Sequence, residues 1–181
     1  MQRRQPLPRL WLMTDERQGD GLWDALERLP RGAGVVFRHY SLAPAERRRL
    51  FARIRRIARK KGLVLLSAGG PLPGADGVHG GVGRGGLRSA SAHTLPELIA
   101  AQRHGAHLVF LSPDFPTRSH PGGRMLGRTC FGLIARHARI PVIALGGVDA
   151  AKGASLRRLG AYGWAGIDAW ASDQKRKAVP I

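Results

Sequence analysis

Apolar residues in this chain fall in short unbroken runs, and most runs are followed by a stretch with helical spacing. Leu10–Met13 (LWLM), Leu63–Leu66 and His107–Leu111 are such runs, and they read as strands buried on both faces. Gly34–Arg38, Val142–Leu145 and Tyr162–Ile167 read the same way, and Gly77–His79 and Ser89–Ser91 bring the strand candidates to eight. Between them, Leu22, Trp23, Ala25, Leu26 and Leu29 predict a brief helix closed by Pro30. Glu46–Lys61 (ERRRLFARIRRIARKK) puts Leu50, Phe51, Ile54, Ile57 and Ala58 on one face, and Gly62 stops it. A third helix runs from Thr94 to His104, with Thr94 as N-cap and Glu97 completing a capping box. Two more are predicted around Cys130–Ala138 and over Ala150–Leu159.

Strand, loop and helix in alternation predict an α/β fold, a (β/α)8 TIM barrel with its sites at the C-terminal strand ends. Eight strands are matched by only five helices, so the barrel is trimmed, with some outer helices shortened or missing. The glycine-rich stretch Ser67–Gly86 has no helical period, and the basic tail Asp168–Ile181 is too short for a full final helix. Residues 1–181 read as a single barrel domain.

Composition narrows the class. The chain is 43% hydrophobic over 181 residues, as a globular domain is. No apolar run approaches the roughly 20 residues of a membrane span, and Leu10–Met13 is too short for a signal-peptide core. The single cysteine, Cys130, excludes an internal disulfide, and the cytoplasm is the expected compartment. Much of the net charge of +18 lies in Glu46–Lys61, where no aromatic is interleaved among the basic residues of the outer face. That pattern reads as a solvated outer helix, and nucleic acid is not an expected partner.

Gly146-Gly147 follows an apolar strand, where backbone N–H groups can face a phosphate or the chain can simply turn tightly. Thr117, Arg118, Ser119 and His120 put hydroxyls, a guanidinium and an imidazole into one loop. His79 and His93 lie at or just past strand ends, positions open to structural or catalytic roles. Asp15, Asp76, Asp114 and Asp168 also lie near strand ends, but no spacing among them makes a metal site, and no zinc motif is present. There is no phosphate-binding P-loop, no GxGxxG and no nucleophile elbow.

In their order, these pieces resemble the thiamine phosphate synthase family and its relatives, the thiazole tautomerases. The resemblance rests on Leu10–Asp15, Ala75–His79, Ser91–Glu97, Phe115–His120, Pro141–Val148 and Gly160–Gly166, almost the whole chain. It implies thiamine biosynthesis: joining hydroxymethylpyrimidine pyrophosphate to a thiazole phosphate, with release of pyrophosphate and with magnesium. Small phosphorylated thiazole and pyrimidine ligands are then the expected partners, and a homo-oligomer is left open.

Carried over residue by residue, the resemblance keeps only Arg38 of a Gln-x-Arg-x-Lys set at Val36–Tyr40. The family's Asn-Asp falls on about Ala68-Gly69, its second magnesium carboxylate on about Arg84, and its loop lysine on His120. Ser91, Thr117, Ser119 and Gly147 match ligand-binding positions, whereas a serine at the strand-eight phosphate site is Asp168. The tautomerase histidine falls on Pro113. The expected site is thus Arg38, Ser91 and His120 for catalysis, and Thr117, Ser119, Gly146, Gly147, His79 and His93 for substrate or phosphate. No metal ligand is expected, although Asp76 has two readings, displaced magnesium ligand or structural carboxylate. The alternatives are a metal-free thiazole phosphate tautomerase and a non-catalytic protein that binds a phosphate ligand.

Overall fold

Eight strands pair in chain order and close on themselves, all parallel. They are β1 (Leu10–Met13), β2 (Gly34–Phe37), β3 (Val64–Ala68) and β4 (Gly77–His79), then β5 (Leu87–Ala92), β6 (Leu108–Leu111), β7 (Val142–Leu145) and β8 (Gly163–Gly166). The computed structural model describes residues 6–81, 85–112 and 127–170. β1 aligns Trp11 with both Gly34 and Ala165, so one register joins the ends of the sheet. The predicted strands are all present, with ends moved by one or two residues.

Inside the barrel, Trp11, Met13, Val36, Leu66, Leu87, Leu108, Phe110, Ile143 and Ala165 form one packed cluster. Trp11 and Phe110 meet edge to face at 5.4 Å. Their bulk is matched by a missing side chain: a Cβ on Gly34 would lie 2.2 Å from the Trp11 indole. Period-two alternation then sends the other strand residues outward into two outer clusters, with Leu10 and Trp170 packed against both.

The first outer cluster lies under α1 (Gly21–Arg28) and α2 (Pro44–Lys61). All five predicted apolar positions of the basic helix pack there, Phe51, Ile54 and Ala58 buried and Leu50 and Ile57 partly so. Gly62 ends α2 at φ 63°, its N–H reaching the carbonyls of Ala58 and Arg59. The second cluster lies under α3 (Leu95–Arg103), α4 (Gly127–Ala135) and α5 (Ala150–Arg157). Against expectation, the Glu97 carboxylate takes the N–H of His93 at 2.6 Å, one residue before the cap, while Thr94 Oγ1 takes the N–H of Glu97.

Among the described residues no helix follows β3 or β4. The segment 69–76 covers the sheet instead, laying Leu72 and Ala75 against the first outer cluster. Asp76 pins it: its Oδ2 accepts the N–H of Leu65 at 2.8 Å, and its own N–H donates to the Leu65 carbonyl at 2.8 Å. That contact precedes β4, away from the C-terminal strand ends, and identifies Asp76 as structural. Helices α4 and α5 begin at Gly127 and end at Arg157, three and two residues from the predicted bounds. No helix among the described residues is long and apolar enough to cross a membrane.

Candidate functional site

Thr14 leaves β1 fully buried and acts as a hub. Its Oγ1 accepts the N–H of Arg38 at 2.9 Å and lies 3.1 Å from His39 Nδ1. Its carbonyl accepts Arg38 Nε–H at 3.0 Å, and Arg38 Nη2 then reaches Asp15 Oδ2 at 3.2 Å. Asp15 is held by Arg17 as well, at 2.7 and 3.0 Å, and the Arg17 hydrogen bonds keep its carboxyl below the ordinary range. Arg17 also feels the negative charge of Asp168 from the end of β8.

Next around the rim, His39 is buried and stacks on Phe37 at 5.0 Å. Burial pushes its imidazole pKa down, so the ring is neutral near pH 7. Arg47 reaches back from α2 across the same ring system, its guanidinium 5.1 Å from the Phe37 centroid. It donates to the His39 carbonyl at 2.7 Å and to the Ala68 carbonyl, tying the ends of β2 and β3 together.

His79 closes β4 with both ring nitrogens engaged. Nδ1 lies 2.9 Å from Ser89 Oγ and Nε2 lies 3.2 Å from Ser91 Oγ. His79 and Ser89 are buried, Ser91 is exposed, and the Phe110 ring meets the imidazole edge to face at 5.3 Å. Burial, with the Arg38 charge second, pushes the His79 pKa down to about 4. Across the barrel, Gly146 and Gly147 follow β7 at φ 105° and 58°, values that L side chains rarely adopt. There the Gly147 carbonyl accepts Lys152 Nζ at 2.8 Å, and Asp149 caps α5 through the N–H of Lys152.

The barrel therefore brings Arg38, His79 and Ser91 to one arc of its C-terminal rim and sets Gly146-Gly147 on another. His93 is exposed, at the start of α3, with its N–H in the helix cap rather than beside the His79–Ser91 pair. Thr117, Ser119 and His120 lie outside the described residues, as do Arg84, Pro113, Asp114 and Arg118. The reading of the sequence did not single out Thr14, His39, Arg47 or Ser89. Thr14 had a signal, a hydroxyl directly after the first apolar run. Arg47 had none, being one of three consecutive arginines in a basic helix.

The described residues do not fit a magnesium ion. Among them, no three His, Cys, Asp or Glu side chains gather where a metal could be held. Asp15 is committed to two arginines, and Glu16 receives both the N–H and the hydroxyl of Ser41. Ala68-Gly69 offers no side-chain oxygen, and the Ala68 carbonyl already accepts Arg47.

The family model described as Thiamine monophosphate synthase matches residues 10–170, from the first strand to the turn after the last. The chain belongs to the thiamine monophosphate synthase family. It is 32% identical to a protein of Aquifex aeolicus (strain VF5) named "Putative thiamine-phosphate synthase 2", over 89% of this chain and 96% of that one. A thiamine-phosphate synthase of Chloroflexus aurantiacus is 36% identical over 84 residues, 46% of this chain and 39% of its own length. In solved structures, the barrel resembles a thiamine phosphate pyrophosphorylase from Pyrococcus furiosus, with TM-score 0.76 and 23% identity over 95% of this chain and 91% of that one. Membership of the synthase family associates the chain with thiamine biosynthesis, and the closed eight-stranded barrel is the fold that the alternation of strands and helices predicted.

Proposed function

We propose that this chain is a transferase of the thiamine phosphate synthase type, joining hydroxymethylpyrimidine pyrophosphate to thiazole phosphate at the C-terminal rim and releasing pyrophosphate. The observation that carries the reading is the placement of Arg38, just past the end of β2, and of the His79–Ser91 pair, on β4 and β5, at the C-terminal rim of a barrel spanned by the family model. Arg38 supplies a fixed positive charge to the diphosphate, oriented beforehand by Thr14 and Asp15. Ser91 offers its exposed hydroxyl beside it, and the N–H groups at Gly146-Gly147 receive the thiazole phosphate. Thr117, Ser119 and His120 complete the phosphate side, and the reaction runs in the cytoplasm.

No step is assigned to magnesium, because the described donors do not fit it. That mismatch favours one second reading, a protein that binds the phosphorylated thiazole without coupling it. Pyrophosphate release by the purified chain, with both substrates and with magnesium or a chelator, separates the two. Turnover that falls roughly a hundredfold or more in Arg38→Ala is the expected result. No release in either condition, with thermal stabilisation by thiazole phosphate alone, would transfer the assignment to the binding protein.

A further inference from the structure

The His79 imidazole sits between two serine hydroxyls that differ in what else they can reach. Ser89 Oγ is buried in the barrel, 3% of the residue exposed, and His79 Nδ1 at 2.9 Å is its hydrogen-bond partner. Ser91 Oγ, 3.2 Å from Nε2, opens to the rim. A neutral imidazole carries one N–H and one lone pair, so the two contacts must have opposite polarity.

One arrangement puts the proton on Nδ1. The ring then donates to Ser89, and the hydroxyl proton of this buried residue is left without an acceptor, since His79 Nδ1 is the partner that the structure gives its Oγ among the described residues. A buried O–H with nothing to accept it forfeits the full cost of its desolvation. The other arrangement puts the proton on Nε2. Ser89 then donates to Nδ1 and its proton is satisfied, while the ring donates to Ser91 Oγ. Burial of the ring, with the Arg38 charge second, disfavours the doubly protonated form near pH 7.

We infer that Ser89 is a positioning residue which fixes His79 as its Nε2–H tautomer and thereby turns the Ser91 hydroxyl proton outward, making Ser91 a hydrogen-bond donor to an anionic oxygen in the mouth. The ligand class is an acceptor-rich group such as a phosphate or diphosphate. In this polarity His79 cannot take a proton from Ser91, so Ser91 binds rather than attacks. The inference rests on the proposed reading of Ser91 as a ligand-facing group, and it adds the direction of the hydrogen bonds and the residue that sets it.

The test is the 15N spectrum of the histidine side chains at pH 7, assigned through the loss of one signal set in His79→Gln. The expected pattern for His79 is a protonated Nε2 and an unprotonated Nδ1 in the wild-type chain, a result that needs no variant of Ser89 to fold. Ser89→Ala should mix the two tautomers and weaken the binding of inorganic pyrophosphate about five- to tenfold, measured calorimetrically in chelator. Ser89→Thr, which keeps the hydroxyl, should restore the wild-type tautomer.

A protonated Nδ1 in the wild type, or an unchanged tautomer in folded Ser89→Ala, overturns the inference and leaves the proposed transferase standing. Failure of pyrophosphate release with an intact Nε2–H tautomer does the reverse. Unaltered pyrophosphate affinity in Ser91→Ala would overturn the donor role assigned to Ser91.

Discussion

Arg38 binds Thr14 twice, through its backbone N–H to the hydroxyl at 2.9 Å and through its Nε–H to the carbonyl at 3.0 Å. One residue thus fixes both the start and the tip of the Arg38 side chain. Thr14→Val keeps the volume and removes the hydroxyl, leaving the Arg38 N–H and His39 Nδ1 without it in a fully buried place. The expected loss is about 1–3 kcal/mol, or roughly 2–4 °C of melting temperature per kcal/mol for a chain of this size. Calorimetry reads it directly, and a melting temperature equal to wild type would remove Thr14 from the role of hub.

Stability should also depend on pH through His79. Its folded pKa of about 4 lies below the ordinary 6.5, so between those values the unfolded chain binds more protons. The contribution is complete above about pH 6.5, declines as pH falls and is gone below about 4, a change on the order of 3 kcal/mol. His39 is shifted in the same direction and adds to it. Asp15 and Glu16 are lowered from 3.8 and 4.5, so their contributions are lost only at lower pH and do not mask the effect. Urea midpoints from pH 7 to 4.5 should fall in the wild type and fall less in His79→Gln. A flat wild-type profile would refute the buried neutral ring.

The elements were legible because each strand is either a continuous apolar run or a short segment beside glycine, and α2 carries a clean apolar stripe through its arginines. The trimmed side was legible too, since Ser67–Gly86 has no period for a helix to use. What the sequence hid were contacts made across elements. The Arg47 bridge joins α2 to the ends of β2 and β3, and nothing in ERRRL distinguishes Arg47 from Arg48 or Arg49. Ser89 looked like an ordinary strand residue, and only the register that sets it beside His79 reveals its role. The expected Glu97–Thr94 reciprocity failed by one residue, because the carboxylate reaches past the cap to His93.

Glycines in the β4 region divide into those that permit close strand approach and those that do not. A Cβ on Gly77 would sit 1.8 Å from the Leu87 carbonyl oxygen, a backbone atom that cannot rotate away. Gly77→Ala should therefore separate β4 from β5 and cost about 3 kcal/mol or more. It should also displace His79, two residues on, from Ser89 and Ser91. Gly81 meets nothing within 4 Å, and Gly81→Ala should be near neutral. Equal urea midpoints for the two variants would contradict the packing of the β4–β5 pair.

Metal dependence can be tested on the chain alone. Asp15 and Glu16 at the described rim are already held by Arg17, Arg38 and Ser41, and the position after β3 that resemblance assigns to a metal carboxylate is glycine. Arg47 supplies a fixed cation beside it, bound to the Ala68 carbonyl. Millimolar magnesium without substrate should therefore leave the melting temperature unchanged, and a chelator should leave pyrophosphate binding in place. Arg38→Met should weaken that binding about tenfold or more, since a charged hydrogen bond is lost. Arg47→Met, which unties β2 from β3 but keeps the stacking volume over Phe37, should weaken it less and lower the melting temperature. A saturable rise in melting temperature with magnesium alone would show that donors beyond the described rim assemble a metal site, and it would return the chain to a metal-assisted mechanism.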